Sequence, residues 1–464
     1  MIRVRGRVLI GGVLTALMLC SCLPAGPAIS GKPTATMPPT TAGPSPTATS
    51  TAHPAIQVTP AALQGVTLQV WQAFSGPAGQ LFSQGVAEFN STNSWGLNVV
   101  SSGYGDYTSL AEAVSGTFGS TQVPDLVVAL PEQTSGWSTA GRVVDLTPFL
   151  SDPTWGLGSA ALQDIPAVFW SEPAGTPHFG IPAERSEHFL FYNETWAHEL
   201  GFTSPPQTAA EFQQQACAAN ASFLLDSDPS NDGYGGWVVD SSWQTIYSWL
   251  LAFGGGVVTD GGYRFDTPQN LAALEFLKGL YDDHCAWIST ADTPLNAFAG
   301  RLALFISGDL AEVPLVSQAM SAANNHDDWT VLPFPGEQRE AVASYGPDYT
   351  VLTTTPVHEL AAWVFIRWLL SPQEQARWVE TTGLLPLRSS SIPLLQSYPT
   401  SSEQWLAAVN EQSSAQTVPS LASWDSLRYV LADGTNTIFQ TNTPQGQISF
   451  VLDEMDTMAQ ELGR

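Results

Sequence analysis

The segment Phe179–Asn193 has the sequence FGIPAERSEHFLFYN, which is extended in character over its whole length. Apolar residues occupy its two ends, and the charged residues Glu184, Arg185 and Glu187 occupy its centre. A strand that leaves one buried sheet and enters another has this pattern, because each end is covered on both faces. The segment therefore predicts a crossing between two lobes of one fold.

The residues before this crossing alternate between strand and helix patterns. Predicted strands and the helices between them are Val66–Trp71, a helix to Asn90, Leu97–Val100, a helix over Tyr107–Val114, and Asp125–Leu130. This alternation is typical of βαβ units with a parallel sheet. Ligands of such sheets lie beyond the carboxyl ends of the strands, which places Ala73–Pro77 and Glu132-Gln133 at a binding edge.

Two more segments are candidates for crossings between lobes. They are Leu302–Gly308 and the stretch around Tyr345–Tyr349. Three crossings between two α/β lobes predict a hinged clamp that closes when a ligand contacts both sides. The length also favours two lobes, since the roughly 400 residues that follow the N-terminal region exceed the usual size of a single core.

The N-terminus has the pattern of a lipoprotein leader. Arg3, Arg5 and Arg7 precede the apolar run Val8–Leu19, and Cys22 follows a small residue. This predicts a secretory signal over residues 1–22 with lipidation of Cys22, the alternative being an ordinary cleaved signal. Residues 23–62 are rich in Pro, Thr, Ala and Ser and predict an extended tether. The expected location is the outer face of the cytoplasmic membrane.

The charge balance excludes one large class of partners. The chain has 42 acidic against 15 basic residues, and its only lysines are Lys32 and Lys278. Nucleic acid binding requires many cations to displace counterions, so no nucleic acid partner is expected. A polyanionic ligand is also disfavoured, although one buried arginine can hold a single phosphate.

Two cysteines remain besides those of the leader. Outside the cell, Cys217 and Cys285 are expected to form a disulfide, and the alternative is a pair of free buried thiols. The loop Asp226–Gly233 is rich in Asp, but it lacks the glycine and the glutamate that an EF-hand needs. We therefore expect an Asx-rich turn there, with calcium as the alternative, and we expect no metal and no cofactor.

Enzyme motifs do not occur in the sequence. It contains no Gly-x-Ser-x-Gly, no His-Glu-x-x-His and no Gly-x-x-x-x-Gly-Lys followed by Ser or Thr, since Pro33 follows the stretch Gly26–Lys32. A secreted glycosidase would need two carboxylates across one cleft, and a surface sensor or adhesion module of the same fold is a further alternative. We expect no catalytic activity.

Several motifs in a fixed order resemble a known family, the family 1 extracellular solute-binding proteins of ABC importers, the maltose-binding-like group. The matching stretches are Val70–Pro77, Pro124–Val128, Asp145–Pro148, Phe179–Ala183 with Phe191–Asn193, Phe298–Phe305 and Ala361–Leu369. The resemblance implies a two-lobed clamp of type II, a permease partner, no catalysis, and a sugar or sugar phosphate as ligand. It divides the chain into lobe 1 (63–184 and 306–348) and lobe 2 (185–305 and 349–464).

The resemblance and the strand ends together suggest which residues contact the ligand. The candidates are Phe74, Ser75, Glu132, Gln133, Arg185, Ser186, Trp237, Gly308, Asp309, Tyr345 and Trp424. Aromatic faces suit sugar rings, and Trp424 matches a stacking position at the start of a late helix. The alternatives are an arginine partner for Glu132 and an interlobe salt bridge from Arg185 to Glu187 or Asp309.

These observations predict a monomeric, lipid-anchored receptor that closes on a small, neutral carbohydrate and delivers it to a membrane permease. The alternative ligand is a glycerol phosphate or related phosphodiester held by Arg185. The basic residue that similar proteins often carry near the loop after the first strand is absent here.

Overall fold

The computed structural model describes residues 56–173, 175–289, 294–337, 339–396 and 402–463. The predicted leader, its Cys22 and the tether up to residue 55 lie outside the described residues. The end of the predicted tether contains a 3-10 turn at Pro60–Leu63, whose Leu63 is fully buried. None of the helices in these ranges combines the length and apolar character that crossing a bilayer requires.

The described ranges contain fifteen strands. In chain order they are β1 (Thr67–Gln72), β2 (Asn98–Gly103), β3 (Leu126–Ala129), β4 (Ile181–Pro182), β5 (Ser186–Asn193), β6 (Trp237–Val238), β7 (Val258–Thr259), β8 (Gly262–Tyr263), β9 (Ala286–Trp287), β10 (Phe305–Asp309), β11 (Trp329–Leu332), β12 (Phe334–Pro335), β13 (Glu340–Tyr345), β14 (Asp348–Val351) and β15 (Ala415–Thr417).

The same ranges contain sixteen α-helices. They are α1 (Gly76–Thr92), α2 (Tyr107–Thr117), α3 (Pro131–Thr139), α4 (Thr147–Ser151), α5 (Ser159–Gln163), α6 (Glu194–Glu199), α7 (Ala209–Leu224), α8 (Trp243–Ala252), α9 (Pro268–Asp282), α10 (Pro294–Ala299), α11 (Val313–Ala322), α12 (Pro356–Leu369), α13 (Pro372–Thr382), α14 (Glu403–Asn410), α15 (Trp424–Ile438) and α16 (Ile448–Leu462).

Lobe 1 is built on a five-stranded sheet with the order β2-β1-β3-β14-β4. Strands β1, β2 and β3 are parallel, as the βαβ pattern predicts, and β14 runs antiparallel to β3 and β4. All four residues of β3 are buried, which explains its continuous apolar sequence. Helix α12 closes the core with a fully buried Trp363, and Thr355 caps its first turn.

Lobe 2 is built on an eight-stranded sheet. Its main path is β12-β13-β5-β10-β6-β9, with β11 paired to β5 and β15 paired to β13. Every residue of the central strand β5 is buried. Helices α7, α8, α9, α15 and α16 surround a second aromatic core, and β7 and β8 form a separate hairpin.

The chain passes between the two sheets at positions that differ in part from the prediction. The segments Phe179–Asn193 and Tyr345–Tyr349 do cross, as β4 to β5 and as β13 to β14. The predicted crossing at Leu302–Gly308 is wrong, because β10 pairs along its length with β5, with Phe305 opposite Tyr192. The 3-10 turn Ser389–Leu394 packs on α13, and the next described helix, α14, packs on β11 of the lobe-2 sheet.

The predicted lobe boundaries need the same correction. Residues 306–348 were assigned to lobe 1, but β10 to β13 all belong to the sheet of lobe 2. Residues from 349 onward were assigned to lobe 2, but β14, α12 and α13 pack in lobe 1. Strand pairing decides membership here, and an apolar strand has the same sequence pattern in either sheet.

A disulfide joins Cys217 and Cys285, as predicted. Cys217 lies on α7, and Cys285 directly precedes β9. The bridge therefore connects two elements of lobe 2 across a sequence separation of 68 residues.

Candidate ligand-binding site

Two linkers of the hinge run side by side. Ala183–Arg185 joins β4 to β5, Gly346-Pro347 joins β13 to β14, and the Ala183 N–H donates to the Pro347 carbonyl over 3.0 Å. Gly346 has φ +156°, and a Cβ there would lie 2.2 Å from the Glu184 carbonyl oxygen. Only glycine permits this close approach of the two linkers.

Arg185 fixes the hinge from inside. Its side chain is 2% exposed, and Nη2 lies 2.5 Å from Oδ1 of the equally buried Asp348. Its other N–H groups donate to the carbonyls of Phe169, Glu184 and Pro347, and Ser171 accepts as well. Every donor of the guanidinium is thus used, which contradicts the predicted ligand contact. The expected alternative, a salt bridge, is present, but its partner is Asp348 and not Glu187 or Asp309.

Glu132 carries the lobe-1 side of the candidate site. It lies in the first turn of α3, directly after β3, and is 3% exposed. Its Oε1 accepts from Nη1 of Arg428 in lobe 2 over 2.9 Å, so this ion pair spans the two lobes. Burial raises the pKa of Glu132 to about 7, because it outweighs the hydrogen bond to the backbone and the charge of Arg428.

Arg428 is the cation that the sequence analysis missed. It lies on α15, four residues after Trp424 and therefore on the same face of the helix. Nη2 also donates to Asp425 over 2.6 Å, and the side chain is 12% exposed. The spacing from the predicted stacking tryptophan was the signal that could have identified it.

An aromatic wall continues from Arg428 along lobe 2, and we define it as Tyr263, Trp424, Trp243 and Tyr345. Trp424 lies 6.1 Å from Tyr263 with nearly parallel rings, and 5.6 Å from Trp243 with perpendicular rings. Trp243 in turn lies 5.4 Å from Tyr345. Trp424 is 1% exposed and its indole N–H has no hydrogen-bond partner, whereas the other three rings are half-buried. A ligand on this face would therefore first meet Tyr263, Trp243 and Tyr345.

Carboxylates stand at the far end of the aromatic wall. The Tyr345 hydroxyl donates to Asp309, which follows the last buried residues of β10 and is 32% exposed. Gly308 lies beside it, and a Cβ there would lie 2.5 Å from the Glu312 carboxylate. Ser186, at the start of β5, is buried with its hydroxyl unpaired.

Three of the predicted contact residues, Phe74, Gln133 and Trp237, pack within the fold instead. Phe74 packs 4.8 Å from Trp378, and Ser75 is the exposed residue before α1. Gln133 caps α3 through the Leu130 N–H and donates to the Tyr107 carbonyl. Trp237 is fully buried in the core of lobe 2, where its indole donates to Ser307, so the structure contradicts its predicted ligand role.

The structure thus brings Glu132, Trp424, Tyr345, Gly308 and Asp309 into one arc that runs from lobe 1 along lobe 2. A surface depression of about 460 Å³ borders this arc at Tyr263, Leu421 and Ser423. Another, of about 380 Å³, lies between Tyr281 and Asn436 on lobe 2 and contains none of the residues of the arc.

Metal binding has no support among the described residues, where no group of three or more His, Cys, Asp or Glu side chains could hold an ion. The Asp226–Gly233 loop contains Asx-type turns instead. Asp226 accepts from the Asp228 N–H and Asp228 from the Ser230 N–H.

Known proteins share the fold of this chain. The sugar-binding protein MalE of Xanthomonas citri has 18% sequence identity and a TM-score of 0.72, covering 86% of this chain and 97% of its own. The cyclic alpha-maltosyl-1,6-maltose binding protein of Arthrobacter globiformis has 17% identity and a TM-score of 0.67, with coverages of 86% and 98%. UgpB of Mycobacterium tuberculosis, solved with glycerophosphocholine, has 16% identity and a TM-score of 0.65, with coverages of 85% and 98%.

At these identities the structural likeness establishes the fold, which is the two-lobed fold of these solute receptors. A search of curated protein sequences finds no match. The family model for bacterial extracellular solute-binding proteins matches residues 84–408, more than half of the chain. The chain therefore belongs to the bacterial extracellular solute-binding protein family.

Proposed function

We propose that this protein is an extracytoplasmic receptor that closes its two lobes on a small carbohydrate and delivers it to an ABC permease. The observation that carries the proposal is the arc from Glu132 through Arg428 and the aromatic wall to Asp309. It joins both lobes and combines ring faces with hydrogen-bonding groups. No reaction is assigned to it.

The chemistry of the arc suits a sugar. Aromatic rings pack against the apolar faces of pyranose rings, and carboxylates accept hydrogen bonds from hydroxyl groups. Trp243, Tyr263 and Tyr345 offer partly exposed rings, and Asp309 offers a partly exposed carboxylate. Similar structures that bind cyclic maltosyl-maltose, acarbose or maltotriose support the same ligand class.

Closure follows from differential affinity. A ligand that contacts both lobes only when they are together shifts the population toward the closed form. The Glu132–Arg428 ion pair is a contact of this kind within the protein itself, since each partner belongs to a different lobe. A ligand bound beside it adds to the contacts that favour closure.

A glycerol phosphodiester remains the second candidate, because the UgpB structure was solved with glycerophosphocholine. Arg185, which was predicted to bind the phosphate group, has no free donor. The phosphate would therefore need Arg428, which is already shared by Glu132 and Asp425. This geometry favours the sugar.

Lipidation at Cys22 and attachment to the outer face of the cytoplasmic membrane complete the proposal. They are supported by the pattern of Arg3–Cys22 and by the tether-like composition that follows. Metabolic labelling with a palmitate analogue tests them, and a Cys22→Ala variant should lose the label and leave the membrane fraction.

Thermal-shift screening of the full chain without its leader tests the function. The panel contains maltose, maltotriose, a cyclic tetrasaccharide, ribitol and glycerophosphocholine. Binding to the folded form raises Tm as ligand exceeds its Kd. We expect a shift with a saccharide, and we expect Tyr263→Ala to abolish it.

Trp95→Ala is the matched control, because Trp95 is also part-exposed but packs on Trp155 near the opposite end of the lobe-1 sheet. It should leave the saccharide shift intact. A shift with glycerophosphocholine alone would replace the sugar by the phosphodiester, and no shift with any compound would contradict both.

A further inference from the structure

A buried histidine lies directly behind the carboxylates of the site. His188 is on β5, three residues beyond the hinge residue Arg185, and only 5% of its side chain is exposed. Nδ1 lies 2.6 Å from Oδ1 of Asp309, and Nε2 lies 2.6 Å from the Thr245 hydroxyl and 3.7 Å from Oδ2 of Asp240. The imidazole therefore connects two carboxylates that belong to different elements of lobe 2.

The hydrogen bonds around the ring fix its protonation state. Tyr345 donates its hydroxyl proton to Asp309, so this carboxylate acts as an acceptor, also toward Nδ1. Thr245 donates its single hydroxyl proton to Asp240, so its oxygen is left to accept from Nε2. Both ring nitrogens are donors, which makes His188 an imidazolium.

The charged and titratable groups that surround His188 support this assignment. Asp309 and Glu312 approach from the end of β10, Asp240 and Thr245 from the start of α8, Tyr345 from β13, and the Phe334 ring stacks at 5.9 Å. Burial alone would lower the pKa of His188, but the hydrogen bond to Asp309 and the negative charges of Asp309 and Asp240 outweigh it and raise the pKa to about 9.

The cationic side chain of His188 is more deeply buried than the two carboxylates beside it. The Asp309 and Asp240 side chains are 32% and 26% exposed, against 5% for His188. Asp309 reaches the surface beside Tyr345, a member of the aromatic wall, while the positive charge of His188 stays behind it. A ligand would meet acceptors and no donor cation at this position.

We propose that His188 is a positioning residue of the ligand site, an imidazolium that holds Asp240 and Asp309 as a fixed pair of acceptors, so that this end of the site selects hydroxyl or ammonium donors and rejects carboxylates and phosphates. This inference rests on the proposed function, because it specifies the chemical class of ligand that the same site takes.

The charges predict opposite effects of two substitutions. With His188 protonated, the group of His188, Asp240 and Asp309 carries one net negative charge. His188→Gln makes it more negative, and Asp309→Asn makes it neutral. A charge change this close to a ligand alters relative affinities for charged and neutral ligands by about threefold to tenfold. A merely structural residue would lower all affinities by the same factor.

The first test needs no ligand. Nitrogen NMR of the full chain without its leader, with the His188 signals assigned by their loss in His188→Gln, should show both ring nitrogens protonated at pH 7 to 8. The exposed His198 of α6 is the internal reference. A neutral His188 ring at pH 7 would overturn the inference.

The second test uses three matched probes, glucose, glucosamine and glucuronate, in calorimetric titrations. The wild type should bind glucosamine and glucose and discriminate against glucuronate. The ratio of glucosamine to glucose affinity should rise in His188→Gln and fall in Asp309→Asn, with His198→Gln unchanged. Equal ratios in all four proteins, or binding of glucuronate as tightly as glucose, would overturn the inference. If none of the three probes binds while His188 is protonated, the proposed selectivity is overturned, whereas the carbohydrate function is decided separately by the thermal-shift panel.

Discussion

Two arginine–carboxylate pairs link the lobes, and they differ in how fully the arginine is used. Arg185 at the hinge is 2% exposed, and all its N–H groups have protein acceptors. Arg428 at the site is 12% exposed and shared between Glu132 and Asp425. The contrast shows that a cation's position near a cleft does not make it a ligand contact, since donors already used inside the protein cannot serve a ligand.

The surroundings of the carboxylates differ in the same way. Asp348 is held by Arg185 and the Ser171 hydroxyl inside the fold. Glu132 has one arginine partner and lies close to further acidic groups. We therefore assign the hinge pair to stability and the Glu132–Arg428 pair to closure and binding, and the following substitutions test this division.

Arg185→Met should have the largest effect on stability. It leaves Asp348 buried without its counter-charge, which costs about 3–5 kcal/mol of unfolding free energy. Urea denaturation measures the loss, and Arg185→Met with Asp348→Leu should recover part of it because the uncompensated charge is gone. A single variant within 1 kcal/mol of the wild type would refute the hinge assignment.

Removal of the disulfide should have the second-largest effect on stability. The bridge closes a loop of 68 residues within lobe 2, and its loss should cost about 2–4 kcal/mol. Cys217→Ser with Cys285→Ser, compared in the same denaturation assay, checks this value. Because the bridge does not touch either arginine pair, saccharide affinity at 25 °C should be unchanged, and a lost affinity would mean that the site depends on it.

Glu132→Gln should remove a pH dependence. The pKa of Glu132 is raised to about 7 from 4.5, so the folded state binds its proton more tightly than the unfolded state. Wild-type stability should therefore fall by up to about 3 kcal/mol as pH rises from 4.5 to 7, relative to Glu132→Gln. Thermal melts of both proteins across this pH range test the prediction. If stability changed with pH in the same way in both, the pKa of Glu132 would not be raised in the folded state.

Arg428→Met should have the smallest effect on stability, about 1 kcal/mol at pH 6, which is the net contribution of one hydrogen bond. Its partner Glu132 can take up a proton at that pH, so no buried charge is left unpaired. Urea denaturation at pH 6 beside Arg185→Met gives the direct contrast. Equal losses in the two variants would remove the distinction between hinge and site.

The sequence contained enough information for the local structure and for the fold class. The alternation around Val66–Leu130 predicted the parallel part of the lobe-1 sheet, and the start of α12 carries a local capping signal, Thr355-Pro356. These features depend on nearby residues, through capping and burial on both faces of a strand. The disulfide between Cys217 and Cys285 could be predicted because two extracellular cysteines can pair in only one way.

The failures concern contacts between distant residues. Leu302–Gly308 resembled a crossing because a sequence does not say which strand it pairs with. Trp237 and Trp424 were both candidates, and only packing shows that both are enclosed, Trp237 in the core beside Trp249 and Trp424 behind Tyr263 and Trp243. Arg185 and Arg428 have partners 163 and 296 residues away along the chain. The sequence therefore did not show that the donors of Arg185 are all used inside the protein, or that Arg428 reaches Glu132.

The most direct test of the account measures affinity in Arg428→Met and Arg185→Lys with the saccharide that gives the largest thermal shift. Arg185→Lys keeps the charge beside Asp348, so a folded protein is available. Calorimetry should show Kd weakened about tenfold or more in Arg428→Met, the usual loss for a hydrogen bond to a charged group. Arg185→Lys should melt earlier and retain its Kd. An unchanged Kd in Arg428→Met together with lost binding in Arg185→Lys would contradict the assignment and return the ligand to the hinge.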